Sequence, residues 1–183
     1  MKKIINLFCL SVLFAITFSS CKKLIASVFG GTDVVVPAFQ LTIPAIPIVP
    51  PGEISLGSYS FNFNLDSTVR ANTAGAFGAN SVNSIKLKQI IFSLTNADSS
   101  NNLANFVSAR VTLQSNTNNT PIQIFDIDFP DSSASGYTFT PTNSPELVSY
   151  LKGNMITYNI YGQMRRITTK PLNLVVTVTV TAD

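Results

Sequence analysis

The residues best suited to chemistry are acidic. Asp126, Asp128 and Asp131 lie in the run Asp-Ile-Asp-Phe-Pro-Asp. Asp126 and Asp128 share one face of an expected strand, and Asp131 falls in the turn after it. Three carboxylates offer the hard oxygen ligands that Ca²⁺ takes, although that ion gathers six to eight oxygens. The spacing is not that of an EF-hand loop, because the turn Gly and the distal Glu are missing. We read the trio as a solvated outer face beside a turn, and keep it only as a weak candidate metal site. Glycoside hydrolysis needs two carboxyl groups about 5–9 Å apart in a cleft. Glu53 and Glu146 are the only glutamates, and Glu146 is better placed at a helix start. A Ser–Lys pair acting without His is not expected, the lysines being scattered, and no phosphate loop of the Gly-x-x-x-x-Gly-Lys type occurs.

Other groups narrow the choice further. The chain has no His and no Trp. Its two cysteines, Cys9 and Cys21, sit within or directly after the apolar N-terminal segment, which leaves the remainder without a thiol, a disulfide or a Cys metal site. Neither catalysis nor a cofactor is expected. Tyr158 and Tyr161 lie on opposite faces of one strand, so one of them is a thin candidate for a sugar platform. Arg165-Arg166 is the one adjacent basic pair beyond the N-terminal region and reads as a solvated turn. The formal charge of +3 is misleading: with Lys2 and Lys3 assigned to a signal, ten basic residues face nine acidic ones, and from Leu24 onward eight face nine. That balance supplies no electrostatic stripe for a phosphate backbone, so nucleic acid is not expected as a partner.

The N-terminus carries a localisation signal. Met1–Lys3 is positively charged, and Ile4–Phe18 is an apolar run of fifteen residues. As a helix it would extend ~22 Å, short of the ~30 Å hydrocarbon core. A charged front and a short apolar body are those of a secretory signal. Ser19 and Ser20 then precede Cys21. Phe18-Ser19-Ser20-Cys21 resembles the lipobox of bacterial lipoproteins, with Phe18 where Leu is usual. The resemblance covers residues 1–21. It implies cleavage before Cys21, acylation of its thiol and of the new amine, and a mature protein held on the membrane by those chains. Lys22 stands where an Asp favours inner-membrane retention in enterobacterial lipoproteins, so the resemblance implies the outer membrane of a bacterial envelope.

Residues 1–20 are therefore expected to be a signal peptide, 21–51 a lipidated Cys with a Pro-rich tether, and 52–183 the folded domain. Pro44, Pro47 and Pro50 recur every third residue, which fits either a polyproline II spacer or, given the apolar Ile43, Ile46, Ile48 and Val49, an edge segment packed along the domain. Val34–Val36 and Phe39–Ile43 have the character of a first edge strand. From Ser58 the period is two. Tyr59, Phe61 and Phe63 alternate with polar residues, as do Val111 and Leu113, Phe125, Ile127 and Phe129, and Leu172 to Val180. Arg70–Asn80 reads as a loop. Across 82–95 the parity slips once: Ile85 and Leu87 share one phase, and Ile90, Phe92 and Leu94 share the other. One extra residue near Lys88–Gln89, a β-bulge, restores a common facing. A short helix is expected between Ser144 and Gly153, with Ser144 as cap, Pro145 at the first position and Leu147, Tyr150 and Leu151 against the sheet. Gln163–Pro171 reads as a hairpin-like connection.

These patterns predict an all-β fold: an antiparallel β-sandwich, immunoglobulin-like or a related Greek key, with seven to nine strands and one short helix. The expected role is non-catalytic, a binding or structural surface offered to another envelope protein. Carbohydrate binding is the alternative.

Overall fold

The computed structural model describes residues 31–183. The expected signal, Cys21 and Lys22 lie outside the described residues. Eight strands build two four-stranded antiparallel sheets. They are β1 (Thr32–Ile43), β2 (Glu53–Asn62), β3 (Ile85–Leu94), β4 (Phe106–Ser115), β5 (Asn118–Asp128), β6 (Gly136–Phe139), β7 (Met155–Met164) and β8 (Leu172–Ala182). One sheet has the order β1-β8-β3-β6 and the other β2-β7-β4-β5. This is the jelly-roll order, a related Greek key rather than the immunoglobulin one. The two sheets bury the alternating apolar positions between them, Val36, Phe92, Val111, Ile160 and Val178 among them.

Because β1, β3, β5 and β7 each cross to the other sheet at the same end, four connections gather there: β1–β2, β3–β4, β5–β6 and β7–β8. We call this end distal. The opposite end, the base, holds Thr32, the C-terminal Asp183, the tight β4–β5 turn and two helices. The 163–171 connection is therefore not a hairpin. β7 and β8 lie in different sheets, and alternation alone does not reveal which sheet a strand joins.

The sandwich begins at residue 32, not 52. β1 pairs along its length with β8, and Pro37 falls in a bulge between Val36 and Phe39, where a missing N–H costs the ladder nothing. Residues 44–51 are consequently the β1–β2 connection rather than a tether. The slip expected in β3 is present. Leu87 faces Val180 and Gln89 faces Thr179, with Lys88 extra between them. Ile85, Leu87, Ile90, Phe92 and Leu94 all enter the core as a result.

Helix α1 (Leu65–Asn72) replaces part of the expected loop. Asn64 caps it by accepting from the Ser67 N–H at 2.9 Å, and Leu65 and Val69 are buried one turn apart. Leu65 also continues the parity of Phe63, which conceals the change of period. The expected second helix, α2, is only Val148–Leu151. Ser144 does not cap it. β6 pairs only with residues 90–93 of β3, so the edge of β3 nearer the base is open. Ser144 Oγ accepts from the Leu87 N–H at 2.6 Å, and Glu146 Oε1 accepts from the Ile85 N–H at 2.6 Å. Two side chains thus close an edge that a strand leaves free.

Glu146 yields a pH prediction. Burial alone would raise its carboxyl, but the N–H groups of Ile85 and Val148 and the Ser84 hydroxyl outweigh that and hold it below the usual carboxylate range. A depressed carboxylate contributes stability above its unfolded pKa, near 4.3, and loses it as pH falls through the folded value. The thermal midpoint is expected to fall on acidification below about pH 4.5. Glu146→Gln should start lower and fall less. Parallel midpoint curves for the two proteins would refute this.

Candidate functional site

The distal end is held by amides. In the β3–β4 connection Asp98 Oδ1 accepts from the backbone N–H groups of Ser100 and Asn101, which sets the turn. Asn102 and Asn105 then bracket a 3-10 turn over Leu103–Asn105: the Asn102 side chain accepts from the Ala104 N–H, and the Asn105 side chain accepts from the Asn102 N–H. All three of Asn101, Asn102 and Asn105 are buried. Buried amides need partners: Asn102 finds them within its own connection, while Asn101 and Asn105 also reach the β7–β8 loop. Asn105 Nδ2 donates to the Ser100 carbonyl at 3.0 Å and to the Ile167 carbonyl at 2.6 Å. Asn101 Oδ1 accepts from the Thr169 N–H at 2.8 Å. The Ile46 N–H donates to Thr168 Oγ1 at 2.8 Å, and the Thr168 N–H donates to the Ile46 carbonyl at 2.9 Å. Three of the four loops are therefore tied to the β7–β8 loop or to one another by at least two bonds each.

Arg165 and Arg166 complete the frame, and they are not a freely solvated turn. The Arg165 guanidinium donates to the carbonyls of Ala104, Phe106 and Phe129 at 2.8–3.0 Å. Arg166 reaches Ala104 as well, and binds both oxygens of Asp131 at 2.5 and 2.7 Å. The Arg166 guanidinium keeps the Asp131 carboxyl below its ordinary range. The Lys170 ammonium, 2.6 Å from Asp98, does the same for that carboxyl, helped by Asn101.

The weak metal candidates do not converge. Asp131 is engaged at the distal end, while Asp126 and Asp128 lie exposed on β5, opposite Arg110 and Ser108. Among the described residues no three acidic side chains assemble to hold an ion. Among the described residues the Ser-x-x-Lys spacing does occur once, at Ser149–Lys152, with Ser149 in α2. It forms no dyad: the Lys152 ammonium lies on the Val82 carbonyl at 3.3 Å. Tyr158 is fully buried, stacked on Phe39 and Phe61. Tyr161 faces outward on β7, with the Arg110 guanidinium 4.2 Å above its ring and Glu53 gripping that guanidinium. One ring face is thus already covered.

Between the β3–β4, β5–β6 and β7–β8 connections lie two clefts, of about 580 and 290 Å³, that adjoin at Asn102 and Ser133; together we call them the distal groove. Ser99, Ser100, Ser133 and Thr169 line it, with the Arg166–Asp131 pair at one side. Sequence reading missed this groove. Its one local signal was Asn102 and Asn105 spaced by three around Leu103, the pattern of a capping box. The distant partners, some sixty residues away in sequence, belong to Asn105 and to Asn101.

No family model matches the chain, and no curated protein matches it. Solved structures share the layering at low similarity. One is the infectious bursal disease virus Gt strain, with 8% identity and a TM-score of 0.37; the match covers 83% of this chain and 32% of that one. Another is the family 32 carbohydrate-binding module from C. perfringens NanJ in complex with galactose, also 8% identical at a TM-score of 0.37, covering 81% of this chain and 99% of that one. A third is the Drosophila NLP core, 9% identical at 0.31, covering 79% and 98%. The chain thus spans about a third of the viral chain it matches. Likeness at this level says nothing of ligand, partner or activity, and the chain is an antiparallel β-sandwich of jelly-roll order.

Proposed function

We propose that the chain is a non-catalytic lipoprotein of the bacterial envelope, acylated at Cys21 and carried on the outer membrane, whose distal end binds another envelope protein. The observation that carries the partner reading is the exposure of Ile48, at 78%, on a connection stiffened by Pro44, Pro47, Pro50 and Pro51. Val49 beside it and Ile167, next to the Thr168 bond that anchors this connection, are exposed too. A proline-stiffened loop loses little conformational freedom on binding, so apolar groups fixed on it make efficient contacts.

The topology suits presentation. Ten residues separate Cys21 from Thr32, a reach of at most ~35 Å. β1 then runs twelve residues from base to distal end, ~40 Å at strand rise. With the acyl chains at the base, the proline loop points away from the bilayer.

Affinity capture with the acylated protein, from its own solubilised membranes, is expected to return one stoichiometric partner. Ile48→Asp should reduce that capture about tenfold or more, the scale of one buried aliphatic side chain. Met155→Ser, which alters an exposed apolar residue at the base, should leave it intact. Capture indifferent to Ile48→Asp would remove the distal loop from the reading.

A further inference from the structure

We infer that the distal groove is a binding site for a neutral glycan, distinct from the apolar Ile48–Val49 loop beside it. The reasoning starts from what the groove has left to offer. Its amides are consumed: Asn101, Asn102 and Asn105 spend their side chains on holding loops together. Its charges cancel in pairs, Arg166 with Asp131 and Lys170 with Asp98, while Arg165 is turned onto backbone carbonyls. The polar side chains of its lining that remain uncommitted are serines. The hydroxyls of Ser99, Ser100, Ser133 and Ser135 are exposed and, among the described residues, make no hydrogen bond.

Each serine hydroxyl is both donor and acceptor, as each sugar hydroxyl is. The flanking Arg166–Asp131 pair adds a planar donor group beside a planar acceptor, both about half exposed, so adjacent sugar hydroxyls could meet one of each. The apolar part of the lining is Ala97, Ala104 and Ala134 with the half-exposed Ile167. Such groups can lie against the C–H face of a sugar ring. The volume falls in the range of small-ligand sites, and the amide frame fixes the walls beforehand, which lowers the cost of binding.

The test uses the full acylated protein in detergent micelles, applied to an array of neutral and acidic oligosaccharides and to an array of extended peptides. Binding to at least one neutral oligosaccharide is expected, with little change between low salt and about 0.5 M salt, since no net charge is engaged. The triple variant Ser99→Ala, Ser100→Ala, Ser133→Ala should weaken it about tenfold or more while the thermal midpoint holds. The pair Ser58→Ala, Ser60→Ala, on the outer face of β2, should change nothing. Ile48→Asp should also leave sugar binding unchanged, which separates this site from the protein-binding loop. The inference is overturned by an array without a neutral hit, by binding only to acidic sugars that salt abolishes, by preference for peptides, or by a triple variant that binds as well as the parent.

Discussion

Arg165→Met is expected to destabilise the protein by roughly 3 kcal/mol, about a hundredfold in the folding equilibrium. The Arg165 side chain is only 23% exposed, and its guanidinium donates to three carbonyls at the distal end. Those carbonyls belong to the 3-10 turn, to the first residue of β4 and to the residue just after β5, beside the places where ladder pairing stops. Hydrogen bonds to a charged group contribute about 1.5–3 kcal/mol each, and a buried carbonyl left without a donor costs ~1–3 kcal/mol. The sum is reduced because an open loop end readmits some water. Methionine preserves the packing of the aliphatic stem and so isolates the hydrogen bonds. Arg165→Lys should recover only part of the loss, because one ammonium cannot span three acceptors as a planar fork does. Urea unfolding checks this: the midpoint should drop while the slope with denaturant holds. A loss below about 1 kcal/mol would mean that water replaces the guanidinium freely.

Cys21→Ser is expected to have an all-or-none effect on location and none on the fold. Burial of each methylene of an acyl chain contributes ~0.8 kcal/mol, and one chain alone gives marginal binding, so the several chains of a lipoprotein anchor it for its lifetime. Among the described residues no helix is long and apolar enough to cross a membrane. On the proposed lipoprotein reading, the variant should move wholly to the soluble fraction, or stay uncleaved at the inner membrane. Its unfolding curve after detergent extraction should match that of the parent, because the sandwich starts eleven residues beyond Cys21. Mass spectrometry of the parent's N-terminal peptide decides the chemistry. An unmodified Cys21, or a mature chain starting elsewhere, would end the lipoprotein reading.

Where side-chain period carries the information, the sequence was legible. The alternation in 172–181 became the central strand β8, and the parity slip at Lys88 became the bulge that turns both halves of β3 inward. Period failed where two elements share a phase. Leu65 satisfies the alternation of β2 and the four-residue spacing of α1 at once, so the start of that helix was hidden. Proline misled in a different way. Pro37 and the Pro44–Pro51 run looked like tether, yet a bulged edge strand tolerates the first and a crossing loop the second.

The sequence by itself determined what depends on composition and local order. It specified an all-β antiparallel sandwich, a core of alternating apolar residues, a domain without His, Trp or thiol, and a lipobox-like segment ahead of it. Tertiary structure alone decided the jelly-roll strand order, the common end of four loops and the roles of their polar residues. Asp131 was one of three similar aspartates until folding set it against Arg166 and left Asp126 and Asp128 in solvent. Asn101 and Asn105 read as turn residues until folding supplied Thr169 and Ile167. The physical reason is range. Side-chain period is a property of neighbours in the chain, whereas burial and hydrogen-bond partnership at the distal end join residues about thirty to more than a hundred and twenty positions apart.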